Sequence, residues 1–190
     1  MIDYAEPSPG ILTLPLLDRA ACETVMTRSE DEAWVPAGVV GKANKGQSHV
    51  NVDMRQAALR FFERDTDIWH LLHEKIDGVV RPLVQARWKR DFPNHSTVQI
   101  VRYPPGGFYR AHRDSGPYNE VRYFTVVCYL NDDYEGGGTY FPDAAYTVVP
   151  EQGKTVLFPA DYLHQAEPVR NGTKYVAVIW LLAPPPTQWM

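Results

Sequence analysis

A chain of 190 residues with 44% hydrophobic and 12% aromatic positions can bury a sizeable core and is expected to form one domain over residues 1–190. Its net charge of −4, without a basic stripe, argues against nucleic acid as the main partner. Cys22 and Cys128 are far apart in sequence and two cysteines make no disulfide framework, no apolar run reaches membrane-spanning length, and residues 1–10 hold acids and prolines where a leader peptide would be apolar, so a cytoplasmic protein without a membrane partner is expected.

In chain order, Ile11, Leu12, Leu14, Leu16 and Leu17 predict an edge strand broken by Pro15. Asp18 is suited to cap a short helix from Arg19 to about Ser29. Residues 34–51 are rich in Gly, Pro, Asn and Ser without a period and predict a loop with a short strand. Asp53 is placed to cap a second short helix over residues 55–62. From Thr66 or Asp67 onward, Ile68, Leu71, Leu72, Ile76, Val79, Val80 and Leu83 recur at helical spacing, with Gly78 and Pro82 expected to bend the helix. His70 and His73 lie on it without a carboxylate pattern and read as structural. Residues 1–93 are thus expected to be a mostly helical buttress.

After Asn94 the pattern changes. Residues 98–103 predict a strand stopped by Pro104, Pro105, Gly106 and Gly107, and residues 122–130 a second, rich in β-branched and aromatic side chains. A turn over 131–138 precedes short strands at 139–141, 146–149, 155–158 and 174–182, the last ended by Pro184, Pro185 and Pro186. Regular short strands point to a sandwich or barrel, so the class is mainly β with N-terminal helices. Cys128, in an apolar run, reads as a small core residue. Gly136, Gly137 and Gly138 lack the lysine and the strand-to-helix context of a phosphate loop and read as a tight turn before Thr139.

His112 and Asp114, two apart, share one face of an extended strand. One more imidazole would complete a two-histidine, one-carboxylate face that suits non-haem Fe(II), which needs open positions; Zn(II) accepts the same set. His164 is followed ten residues later by Lys174, across a turn at Asn171 and Gly172. Adjacent antiparallel strands could place both in one cavity, where an ammonium suits a carboxylate that does not touch the metal. Taken alone, Lys174 reads as a surface lysine beside a turn. Tyr103 could add a phenolic hydrogen bond to the same carboxylate.

The stretches VRYPPGGFYRAHRD, RYFTVVCYLNDDYEGGGTYFP, PEQGKTVLFP and LHQAEPVRNGTKYVAVIW, in this order between about residues 98 and 182, resemble the 2-oxoglutarate- and Fe(II)-dependent dioxygenases in their prolyl-4-hydroxylase-like branch. The resemblance implies a double-stranded β-helix, or jelly roll, over residues 94–190. It implies His112, Asp114 and His164 as iron ligands, with 2-oxoglutarate and O2 as cosubstrates and ascorbate as a candidate reductant. Lys174 would pair with the far carboxylate of 2-oxoglutarate, helped by Tyr103 and Thr139, while Trp180 lines the pocket. Tyr109 and Arg122, with Tyr118 in the segment between Asp114 and Arg122, would meet the prime substrate. The implied activity couples oxidative decarboxylation of 2-oxoglutarate to C–H hydroxylation. Asp114, where related halogenases carry a small residue, implies hydroxylation. The short 115–121 segment leaves a prolyl residue, a free amino acid and a small natural product all open as substrates. A Zn-dependent hydrolase on the same triad and a non-catalytic jelly-roll binding module with Tyr109, Tyr118 and Tyr134 as a platform are the alternatives.

Overall fold

The computed structural model describes residues 2–31, 33–40, 47–119 and 121–183. The expected stop at Pro184, Pro185 and Pro186 lies outside the described residues. Strands β1 (Ala5–Ser8) and β2 (Ile11–Pro15) form a hairpin turned at Gly10, φ +75°. Helix α1 (Arg19–Ser29) begins as expected, with Asp18 Oδ1 accepting from the Ala21 N–H at 2.8 Å. Short strands β3 (Val35–Pro36), β4 (Gly38–Val40), β5 (Ser48–Val50), β6 (Arg55–Gln56) and β7 (Ala58–Phe62) follow.

Thr66 caps α2 (Asp67–Lys75), its hydroxyl accepting from the Trp69 N–H at 3.2 Å. A π turn over Ile76–Val80 joins α2 to α3 (Arg81–Trp88). Pro82 has no N–H to continue the ladder, and the wider π turn just before it absorbs that loss. Leu72, Ile76 and Val80 are fully buried. At about 1.5–3 kcal/mol each, their burial outweighs the roughly 1 kcal/mol that Gly78 costs a helix, so the helical run continues through both breakers.

The remaining strands are β8 (Asn94–His95), β9 (Val98–Tyr103), β10 (Phe108–His112), β11 (Arg122–Tyr129), β12 (Glu135–Gly136), β13 (Thr139–Phe141), β14 (Tyr146–Val148), β15 (Lys154–Pro159), β16 (His164–Ala166), β17 (Val169–Asn171) and β18 (Lys174–Leu182). The major sheet runs β1-β2-β15-β11-β18-β9-β7-β3, with β8 beside the end of β18. The minor sheet runs β14-β13-β16-β10-β6. The pairings in both are antiparallel. This is the expected mainly β jelly roll with helices from the N-terminal half.

Period-two alternation divides the major sheet's side chains between two cores. Phe124, Val126 and Cys128 of β11 and Ala177, Ile179 and Leu181 of β18 pack under the helices with Val25, Leu72 and Leu83. Val127 and Tyr129 of β11 and Val176 of β18 face the minor sheet with Phe141 and Phe158. Both faces are buried, so these strands read as unbroken apolar runs. Free Cys22 and Cys128 meet in the helix-side core, thiol to thiol.

Three expectations need correction. Residues 55–62 form β6 and β7, not a helix. Leu59 and Phe62 are buried when Ala58–Phe62 pairs with β9, and that pairing overrides local helix propensity. Strand β2 is not an edge, because β1 covers it. The N-terminal half is not mostly helical, since β1 to β7 lie there and β2 and β7 sit within the major sheet. His73 Nδ1 meets His95 Nε2 at 2.9 Å and its ring stacks on Trp69 at 4.3 Å, a packing role that fits expectation.

Gly153 ties the hairpin at the start of β15 to the N-terminal segment. It has φ +82°, donates its N–H to Tyr129 O at 2.8 Å and accepts from the Leu16 N–H at 3.0 Å. A Cβ there would stand 2.1 Å from Leu17 O. Gly153→Ala is expected to destabilise the fold by about 2 kcal/mol or more, read as a lower urea midpoint at constant m value. An unchanged midpoint would show that this backbone contact yields freely.

Candidate metal centre and its cavity

Strands β10 and β16 pair so that His112 stands directly opposite His164. Asp114 lies two residues past the end of β10, anchored by its N–H donating to Ala160 O at 2.8 Å. The ligand atoms of His112, Asp114 and His164 all lie within 4.8 Å of one another. His112 Nε2 is 3.4 Å from Asp114 Oδ1, and His164 Nε2 is 3.6 Å from Asp114 Oδ2.

The tautomers follow from the backbone. His112 Nδ1 meets Arg110 O at 2.8 Å, and His164 Nδ1 meets Tyr162 O at 3.0 Å. Each carbonyl can only accept, so each Nδ1 carries a proton and each Nε2 is turned toward the cluster. The Thr125 hydroxyl donates to Asp114 Oδ2 at 2.7 Å and fixes the carboxylate. Burial alone would raise the Asp114 pKa, but the His164 and His112 imidazoles hold it well below the usual carboxylate range. Burial pushes His164 down to about 4. At neutral pH the cluster therefore offers His164 as a neutral imidazole and Asp114 as an anion. That donor set fits a divalent transition metal bound on one side.

A cavity of about 290 Å³ opens beside the cluster, between the two sheets. Lys174, Val176, Val178 and Trp180, successive inward positions of β18, form one wall. Lys174 is 1% exposed, and its Nζ donates to Gly137 O at 2.5 Å. The ammonium lies 5.0 Å from the Tyr103 ring and 5.3 Å from the Tyr129 ring, and Tyr103 is its register partner across β9. Among the described residues no carboxylate reaches it within ion-pair distance. Burial pushes its pKa down to about 7, against a distant pull from Glu167. A Cβ on Gly137, φ +66°, would stand 3.1 Å from Lys174 Cδ and 2.9 Å from Tyr134, so the glycine leaves the lysine its path. Thr139 Oγ1 meets Tyr129 Oη at 2.6 Å, and Trp180 Nε1 is buried with no hydrogen-bond partner.

His164 and Lys174 do meet one cavity, but from opposite sheets rather than from neighbouring strands. Tyr109 stacks on His112 with centroids 3.5 Å apart, and burial raises its phenol to about 12. Arg122 lines the cavity, its guanidinium 3.6 Å from the Trp180 ring centroid. Tyr118, expected at the entrance, is 45% exposed and outside the cavity lining, because the turn closed by Asn119 N–H to Gly116 O carries it outward. The sequence reading missed Thr125, which shares its strand face with Val127, an inward position of β11. It also missed Arg55 and the β4–β5 residues Gly38, Val39, Val40 and Ser48, which line the cavity from a segment without a periodic signal.

The 2OG-Fe(II) oxygenase superfamily matches residues 98–182. A putative prolyl 4-hydroxylase of Acanthamoeba polyphaga mimivirus is 29% identical, over 56% of this chain and 54% of its own length. Prolyl 4-hydroxylase 1 of Arabidopsis thaliana is 30% identical, over 92% of this chain and 69% of its own. The chain thus spans about half of the mimiviral relative, and 24% of human procollagen-lysine,2-oxoglutarate 5-dioxygenase 2. The crystal structure of a Pseudomonas putida prolyl-4-hydroxylase superposes with a TM-score of 0.75 at 18% identity, covering 93% of this chain and 94% of that one. At that identity it speaks for the fold. The Arabidopsis alignment covers most of this chain and the superfamily match contains all three clustered residues, so the chain belongs to the 2OG-Fe(II) oxygenases and is prolyl-4-hydroxylase-like.

Proposed function

We propose that residues 1–190 act as one hydroxylase domain, turning R–H, 2-oxoglutarate and O2 into R–OH, succinate and CO2 at a single Fe(II), with a small-molecule or peptidyl R–H. The observation behind this reading is a buried ammonium, without a carboxylate partner among the described residues, in the same cavity as two histidines and an aspartate. His112, Asp114 and His164 would hold the iron, which when bound supplies O2 activation. Thr125 and the Arg110 and Tyr162 carbonyls keep those three side chains aimed.

Lys174 binds the far carboxylate of 2-oxoglutarate, with the Tyr103 hydroxyl and Thr139 beside it. A lone ammonium is costly to bury, and an incoming carboxylate removes that cost. Val176, Val178 and Trp180 exclude water from the space between lysine and metal. Tyr109 braces the His112 ring and walls the substrate side. A Zn hydrolase would leave Lys174 without a task. Free, buried Cys22 and Cys128 suit a reducing, cytoplasmic setting, and no described helix is long and apolar enough to cross a membrane.

Three outcomes test this. His112→Ala, Asp114→Ala and His164→Ala should each abolish succinate formation at limiting Fe(II), and full activity in any one removes that residue from the ligand set. Lys174→Ala should raise the 2-oxoglutarate KM at least about tenfold, since truncating one member of a buried charge pair costs about 2–5 kcal/mol. Fe(II) affinity should change little, and Lys174→Arg should fall between. An unchanged KM rejects the assignment. Finally, with Lys174 lowered to about 7 by burial and raised again by a bound carboxylate, 2-oxoglutarate binding takes up a proton. Affinity measured by calorimetry should therefore fall as pH rises from about 7 to 9, and a flat profile would contradict the pairing.

A further inference from the structure

The chain's two cysteines are far apart in sequence, Cys22 in α1 and Cys128 in β11, yet the fold brings their thiols into hydrogen-bonding contact. Cys22 Sγ lies 4.0 Å from Tyr129 O, and Cys128 Sγ lies 3.9 Å from the same oxygen and 3.9 Å from Gly153 O. Both are free and buried. As packing alone, each would be one small apolar side chain among many. Three features give the pair a chemistry instead.

The two thiols are unlike. The hydrogen bond from Cys128 and the charge of Arg19 hold Cys22 below the ordinary thiol range against the cost of its burial. Cys128, hydrogen-bonded to Cys22 and buried, is pushed well above that range. Cys22 therefore gives up its proton first and is the nucleophile of the two.

The cover over Cys22 is thin. Arg19, Ala20, Glu23 and Thr24 around it are exposed, and only Cys22, Val25 and Ser29 are buried along the 11 residues of α1. A short helix with so little buried surface opens locally more often than the central sheet does, so a small reagent reaches Cys22 before the rest of the core.

A hydroxyl stands ready beside the pair. Thr155 lies directly across from Cys128 where β11 meets β15, on the same face of the sheet. Its buried hydroxyl faces the Cys128 sulfur and has no other hydrogen-bond partner among the described residues. An unpaired buried hydroxyl is costly, and a thiolate at Cys128 would remove that cost.

We propose that Cys22 and Cys128 are a peroxide-sensitive pair that closes into a reversible disulfide, fastening α1 to the central strand β11. The Cys22 thiolate attacks one oxygen of hydrogen peroxide. The O–O bond breaks, Cys22 becomes a sulfenic acid, and the hydroxide released takes up a proton as water. The Cys128 sulfur then attacks the Cys22 sulfur, with the Thr155 hydroxyl stabilising the thiolate as it forms. The S–O bond breaks, and the oxygen leaves with the Cys128 proton as a second water. Two thiols lose two electrons, one peroxide gains them, and a thiol reductant reverses the step. In a reducing setting both cysteines stay thiols. The pair lies on the helix side of the major sheet and the cavity on the other, so closure leaves the cavity lining in place.

The test treats the full chain, loaded with Mn(II) so that no iron meets the oxidant, with a small excess of hydrogen peroxide. Digestion without reductant should then yield the Cys22 and Cys128 peptides joined, two hydrogens lighter than their sum, and a non-reducing gel should show a monomer. Closing a long loop of the unfolded chain should raise the urea midpoint by at least about 1 M, and dithiothreitol should restore it. Affinity for 2-oxoglutarate should change little. In Cys128→Ala the sulfenic acid has no partner, so dimedone should label Cys22, whereas Cys128 should resist dimedone in Cys22→Ala. Thr155→Val should slow closure several-fold, and an unchanged rate would remove that hydroxyl from the step. Two thiols still open to alkylation after peroxide, a disulfide between chains, dimedone on Cys128 in place of Cys22, or a closed disulfide with an unchanged midpoint would each overturn the proposal. The joined wild-type peptides decide it even where a variant fails to fold.

Discussion

A lysine at 1% exposure, with no carboxylate among the described residues within ion-pair distance, is a charge the fold has left largely uncompensated. Everything around Lys174 makes that arrangement possible. It opens β18, so the inward face of the central strand begins with an ammonium and continues with Val176, Val178 and Trp180. Gly137 gives the side chain passage and one acceptor. Tyr103 and Tyr129 offer ring faces, which stabilise a cation without neutralising it. The result is a cation at one end of a cavity whose other end holds a cluster able to take a metal, with Val176 and Val178 between them.

The alternation that builds the core also builds the site. Odd positions of β18 seat the helices on one side of the major sheet, and even positions line the cavity on the other. In β11 the pattern is the same: Phe124, Val126 and Cys128 face the helices, while Thr125 turns inward and reaches Asp114. A one-residue slip of either strand would bury the wrong set and dismantle both at once. The helices therefore act on the chemistry only indirectly, by fixing the register of the strands that carry it.

Much of this was legible in the sequence because it is local. The spacing of His112 and Asp114 follows from extended backbone, the strands over 98–103, 122–130 and 174–182 from apolar runs, and the cap Asp18 from its side-chain oxygen. What the sequence obscured depends on tertiary partners. Residues 55–62 have no preference strong enough to declare a strand, and only pairing with β9 and β10 makes β6 and β7. Arg55 was hidden for the same reason, since nothing before folding places it over Tyr109. Tyr118 stands outside the cavity lining, and a turn of polar and small residues does not say in advance which way its one aromatic side chain points. The expectation that His164 and Lys174 sit on neighbouring strands gave the right cavity by the wrong route, because ten residues of separation also allow a crossing between sheets.

The central claim is that 2-oxoglutarate bridges the metal set and Lys174 in one cavity. Anaerobic absorption spectroscopy tests it most directly. Adding Fe(II) and 2-oxoglutarate together should produce a weak visible metal-to-ligand charge-transfer band, absent with either alone and lost in His164→Ala. In Lys174→Ala the band should keep its position but need at least about tenfold more 2-oxoglutarate to reach half its height. No band in the wild-type protein while calorimetry shows both components bound, or the same half-saturation in Lys174→Ala, would contradict the account.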